Sequence, residues 1–171
     1  MIRSFDGETP AVPDSAFVSE MAYLIGDVTL GERSSVWPFV CLRGDSGSIS
    51  VGDRTNVQDF TMLHNTHLGA DVTVGHGAML DHATIGDQCL VGLGATLLPG
   101  ATVGSECIVA GGTLLREGES VPEGHLAYGA PAETQPLTDQ HRERIEQNVE
   151  EYLKLSAQYR NDGGFEDGSS R

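Results

Sequence analysis

The stretch "VTVGHGAMLDHATIGDQCLVGLGATLLPGATVGSECIVAGGTLL", Val72 to Leu115, decides the fold. Aliphatic residues recur through it every six positions, at Val74, Leu80, Ile85, Val91, Leu97, Val103, Val109 and Leu115, with one five-residue step after Leu80. A second position repeats in phase: a small or β-branched residue lies two places before each aliphatic, at Val72, Ala78, Ala83, Cys89, Ala95, Ala101, Cys107 and Thr113. A six-residue unit is too short for a helix and has the wrong period, so each unit reads as a short strand and a turn. Glycine follows the aliphatic at Gly75, Gly86, Gly92 and Gly104, which suits a tight corner.

The pattern extends upstream. Val18, Leu24, Leu30, Val36 and Leu42 keep the six-residue step, and a nine-residue step through "RGDSGSIS" leads to Val51, Val57 and Leu63, followed by Leu68. Three units make one triangular coil of about 18 residues, and stacked coils form parallel sheets around the aliphatic column. The fold class is therefore an all-β solenoid of hexapeptide repeats. Because such a solenoid has open ends and flat faces, capping and symmetric self-association are both expected.

After Leu115 the pattern weakens, since Glu119 stands where a small residue belongs, and "VPEGHLAYGAPAETQP" reads as a connecting loop. Thr138 offers an N-cap, and Ile145, Val149, Tyr152 and Tyr159 form one apolar stripe on a single C-terminal helix packed along the solenoid. The expected organisation is a repeat domain with its connecting loop over residues 1–136, the helix over 137–160, and a disordered glycine-rich acidic tail over 161–171.

Composition narrows the function. The formal charge is −15, with 25 acids against 10 bases, and Lys154 is the only lysine, so nucleic acid and anionic membrane are poor partners. No apolar run approaches the roughly 18 residues of a membrane span, and "MIRSFDGETP" lacks the features of a signal peptide, so a cytoplasmic protein is expected. An acidic, lysine-poor surface also fits a salt-rich habitat, where ions screen its self-repulsion. Cys41, Cys89 and Cys107 have neither disulfide nor zinc-type spacing and read as small buried residues.

Four of the six histidines, His64, His67, His76 and His82, fall within 19 residues. Any one of them alone would be read as a turn residue on a polar exterior. The repeat register changes that reading. His64 follows Leu63 and Asp81 follows Leu80, so the two stack in successive coils, about 5 Å apart by strand spacing. His76 lies one place further from its own aliphatic, Val74, and is free to reach a partner chain's pair.

"RGD" at Arg43–Asp45, "NVQD" at Asn56–Asp59, "LH" at Leu63–His64, "VTVGHGAML" at Val72–Leu80 and "GAPA" at Gly129–Ala132 follow one another at characteristic intervals. In this order they make residues 10–160 resemble the gamma-class carbonic anhydrases and their hexapeptide-repeat relatives. The resemblance implies a left-handed parallel β-helix and a homotrimer with one metal at each subunit interface. It also implies reversible hydration of carbon dioxide to bicarbonate by a metal-bound hydroxide. Zinc is the implied ion, with iron or cobalt as alternatives, and its ligands are three histidines, two from one chain and one from its neighbour.

Carried over by position, those ligands fall on His64, His76 and residue 81. The family text has histidine then glycine where this chain has Asp81 then His82. Asp81 replaces the third imidazole, or His82 swings in to restore it, or the metal is lost and the trimer serves another purpose. A carboxylate ligand would raise the pKa of bound water and move activity to higher pH. The resemblance further implies that Gln58 orients the reacting water, that Arg43 and Asp45 pair across the subunit boundary, and that Asp59 joins the same polar network. The plainer readings are an outward residue for Gln58 and a solvated pair in the repeat-breaking loop for Arg43 and Asp45. Hexapeptide acyltransferases, thioesterases and non-catalytic trimers share the scaffold and remain the alternative functions.

Overall fold

The computed structural model describes residues 1–161 and shows a left-handed parallel β-helix closed on one side by a single helix. The expected disordered tail lies, apart from Asn161, outside the described residues. Each six-residue unit is a strand of mostly two or three residues. Its aliphatic points inward, and the small residue two places earlier sits at the corner, where a larger side chain would not fit between coils.

Strict stacking follows from this alternation. On the first face Leu24, Leu42, Leu63, Leu80, Leu97 and Leu115 pair in register from coil to coil, and each is fully or almost fully buried. Leu30, Val51, Leu68, Ile85, Val103 and Val121 fill the second face, and Val36, Val57, Val74, Val91 and Val109 the third. At roughly 1.5–3 kcal/mol for each buried aliphatic side chain, this column is the main stabilising element of the fold.

The corners need a left-handed residue in almost every coil. Arg33, Arg54, Asp71, Gln88 and Glu106 take this conformation at one corner, and Phe39, Phe60, Gly77, Gly94 and Gly112 at the second. Asn65 (φ 46°), His82 (φ 48°), Gly100 and Gly118 take it at the third.

The segment read as a connecting loop after Leu115 is largely ordered strand. Ser120–Val121 continues the second face, and His125–Tyr128 adds a last parallel rung beside Ile108–Val109. Glu133–Pro136 then pairs antiparallel with His125–Tyr128, so a hairpin covers that edge. Glu119 is tolerated in the corner because its carboxylate turns out to meet Arg116 at 2.6 Å.

The helix runs over Asp139–Asn161, and the Oγ1 of Thr138 accepts the backbone N–H of His141 as an N-cap. Its buried stripe is Ile145, Val149, Leu153 and Ser156, spaced four, four and three. The stripe expected from sequence included Tyr152 and Tyr159 in place of Leu153. Both tyrosines flank the stripe and set their rings edge-on against Trp37, at centroid distances of 5.3 and 5.2 Å. An ion pair between Arg54 and Glu150 (2.9 Å) ties the helix to the wall. No helix among the described residues is long and apolar enough to cross a membrane.

Candidate metal centre

Register brings the candidate residues together. Arg43, His64 and Asp81 are consecutive partners along one outward column at the end of the first face, the position immediately after the buried leucines. The chain then turns the third corner through Asn65 in one coil and His82 in the next. The N–H of His82 donates to the carbonyl of His64 (2.8 Å), which locks the two turns together.

Donor atoms of His64, Asp81 and His82 all lie within 4.8 Å of one another. Asp81 Oδ1 accepts from Nδ1–H of His64 (2.8 Å) and from Nδ1–H of His82 (2.6 Å). Asn65 Nδ2 lies on the other side of both rings, 3.3 Å from His64 Nε2 and 3.0 Å from His82 Nε2. The two imidazoles stand edge to face at a centroid distance of 5.0 Å. Burial pulls the Asp81 carboxyl up, but the bonds from His82 and His64 outweigh it and hold the group below the ordinary aspartate range.

The "RGD" loop closes over the same point. Arg43 donates to Asp45 at 2.7 Å, and this pairing is the main reason the Asp45 carboxyl lies below its usual range. Asp45 Oδ1 is 3.3 Å and Ser46 Oγ 3.2 Å from His64 Nε2. The imidazole of His64, only 15% exposed, is thus flanked by two carboxylates. The two carboxylates make the surroundings of the ring electronegative, as a bound cation requires.

His76 is not part of this cluster. It occupies the second corner, at the opposite edge of the first face, where its Nδ1 lies 3.0 Å from Asp59 and its Nε2 3.5 Å from the Tyr152 hydroxyl. Burial, followed by the charges of Asp59 and Glu151, pushes the Tyr152 phenol up. Gln58, only 4% exposed, donates to Asn56 Oδ1 (3.1 Å), and Asn56 in turn donates to Thr73. Gln58 stands at the end of a cavity of about 280 Å³ between the third face and the helix, lined also by Leu90, Ile108, Leu126, His141 and Asn148.

Within one chain, therefore, His64, Asp81, His82 and Asp45 converge, with Arg43 on Asp45, while His76 with Asp59, and Gln58, stand apart. Asn65 and Ser46 were not singled out from sequence, and Tyr152 was read only as part of the helix's apolar stripe. Asn65 had a visible signal, since it holds the same corner one coil before His82. Tyr152 had none, because its contact with His76 spans 76 residues between helix and solenoid.

Residues 82–116 match a family model described as the hexapeptide repeat of succinyl-transferase. A carbonic anhydrase from Geobacillus kaustophilus is 36% identical, with 94% of this chain and 91% of that protein covered. The chain belongs to the hexapeptide-repeat family of the gamma carbonic anhydrases. Gamma carbonic anhydrase 2 of Arabidopsis thaliana mitochondria is 38% identical over 91% of this chain, which spans 60% of that longer protein. Among solved structures, a hexapeptide transferase family protein from Anaplasma phagocytophilum superposes with a TM-score of 0.90 at 35% identity, covering 92% of this chain and 97% of the other.

Proposed function

We propose that the protein is a gamma carbonic anhydrase-like metalloenzyme that interconverts carbon dioxide and bicarbonate, working as a homotrimer in the cytoplasm. The observation that supports this most is the convergence of His64, Asp81 and His82, with donor atoms within 4.8 Å of one another, in a family whose members include carbonic anhydrases. Imidazole and carboxylate are the donor set of catalytic zinc sites, and the two carboxylates beside His64 supply the negative environment a divalent cation requires. The residues present fit such an ion, with zinc first and iron or cobalt as alternatives.

His64 would hold it together with Asp81 or His82, and His76 of the partner subunit would complete the set. This division accounts for the separation of His76 from the cluster, at the far edge of the first face, with Nδ1 beside Asp59 and Nε2 3.5 Å from the Tyr152 hydroxyl. When bound, the ion supplies a water acidified toward neutral pH. Gln58, pinned by Asn56, orients the reacting water, and Arg43 braces Asp45 against His64 at the subunit boundary.

One observation favours a second reading. A carboxylate on Nδ1 of His64 leaves Nε2 to act as a general base, the arrangement a hexapeptide acyltransferase needs, and a superposable structure bears a transferase family name. Stopped-flow carbon dioxide hydration on the full-length protein in high salt, before and after chelation and zinc return, separates the two. Hydration that disappears on chelation and returns with zinc is the expected result. Metal near one per chain without hydration at any pH, together with saturable binding of acetyl coenzyme A, would replace this reading by the second.

A further inference from the structure

The position aligned with the family's third histidine holds Asp81, and the geometry points to a different division of labour: His82 is the ligand, and Asp81 is the group that orients both imidazoles. This inference rests on the metalloprotein reading above and concerns how that site is built. Its starting point is which nitrogen of each ring is free. Asp81 Oδ1 engages Nδ1 of His64 and Nδ1 of His82 at 2.8 and 2.6 Å. A carboxylate holding Nδ1–H of an imidazole fixes the ring and its tautomer and leaves the Nε2 lone pair for a cation.

Both free nitrogens face the same place. Asn65 Nδ2 lies within 3.3 Å of His64 Nε2 and 3.0 Å of His82 Nε2, so the two lone pairs converge on one amide group. In the present arrangement that amide caps the point on which the two nitrogens converge.

A second observation comes from the same side chain. Asn65 is 93% buried by its 7% exposure, and its Oδ1 has no hydrogen-bond partner among the described residues. An orphaned buried amide oxygen keeps its full desolvation penalty with no bond to offset it. The two ends of an amide are nearly the same shape, so a half-turn of the group presents the oxygen to the convergence point at little steric cost. With a cation there the turn satisfies the orphan; without one it would set an acceptor against two lone pairs. Asp45 Oδ1, 3.3 Å from His64 Nε2, adds negative charge at the same spot.

The backbone makes the substitution workable. His82 occupies the left-handed corner at φ 48°, with its ring edge-on to His64. The imidazole ligand therefore stands at the corner, one residue after the carboxylate that braces it.

X-ray absorption at the zinc edge of the zinc-loaded full-length protein counts the imidazoles directly. Three in the wild type, two in His82→Gln, and three in Asp81→Asn with metal affinity lowered about 10–100-fold are expected. Circular dichroism of the metal-free variants checks that each is folded, and Asn65→Ala, which frees the convergence point without touching a ligand, should keep three imidazoles. Two imidazoles and a carboxylate in the wild type, or an unchanged count in His82→Gln, would overturn the assignment while leaving the metalloprotein reading intact. Failure of the wild type to hold zinc near one per chain would overturn both.

Discussion

Replacing His82 by glycine separates what this residue costs the fold from what it gives the site. A non-glycine residue in the left-handed region costs roughly 1–2 kcal/mol, and His82 sits there at φ 48°. Glycine removes that cost. It also removes the bonds from His82 to Asp81 (2.6 Å) and Asn65 (3.0 Å). Those bonds belong to a side chain 48% exposed, where each contributes near the lower end of the about 0.5–1.5 kcal/mol range. The two effects leave the metal-free protein between unchanged and about 1 kcal/mol more stable, which at this chain length is a rise of roughly 0–4 °C in Tm. Zinc titration of the same sample should show a large loss of affinity. Differential scanning calorimetry of metal-free wild type and His82→Gly, paired with that titration, gives both readings. A fall in the metal-free Tm of more than a few degrees would refute the corner-strain argument, and an unchanged zinc affinity would refute the role given to the imidazole.

Three further outcomes follow from the same geometry. Leu80→Ala, which empties a position in the leucine column directly before Asp81, should cost about 2–5 kcal/mol and lower the urea midpoint accordingly. Asp45 has its folded pKa below the unfolded value of about 3.9, so the stability it contributes is complete above that pH and lost as pH falls through the folded pKa. Asp45→Asn should therefore flatten the dependence of Tm on pH below about 4 in metal-free protein, and an identical acid limb would count against the Arg43 pairing. With a formal charge of −15, raising sodium chloride from about 0.01 to 1 M, which shortens the screening length from about 30 to 3 Å, should raise Tm; a flat or falling Tm would remove the salt-adapted reading of the surface.

Much of the architecture is legible because a solenoid turns sequence period into spatial neighbourhood. Once Leu63 and Leu80 are known to share a column, the residues after them, His64 and Asp81, must stack, and they do. The same logic stops where the repeat stops. His125–Tyr128 and Glu133–Pro136 form a hairpin that the fading hexapeptide pattern hides, because its second strand runs antiparallel and is exposed throughout, leaving no aliphatic to mark it. Leu153 escaped the helix stripe because Tyr152, one place earlier, is the larger apolar body. Its ring is spent instead on Trp37, a contact that no local period records.

The site lies at the limit of this kind of reading, since the register says which residues stack but not which nitrogen faces which. Two imidazoles and a carboxylate at one corner are compatible with a carboxylate ligand or with a carboxylate brace, and sequence spacing serves both equally. What separates them is the direction of each ring, and that depends on the left-handed turn at His82 and on the bonds that Asp81 makes to two Nδ1 atoms at once. The three corners accept arginine, aspartate, glutamine, glutamate, phenylalanine and asparagine in the left-handed conformation elsewhere in this chain, and the third accepts histidine in the same way. The scaffold thereby gains freedom to shift a functional group by one residue without disturbing a single inward-facing side chain, because every ligand candidate lies outside the column of leucines and valines that specifies the fold.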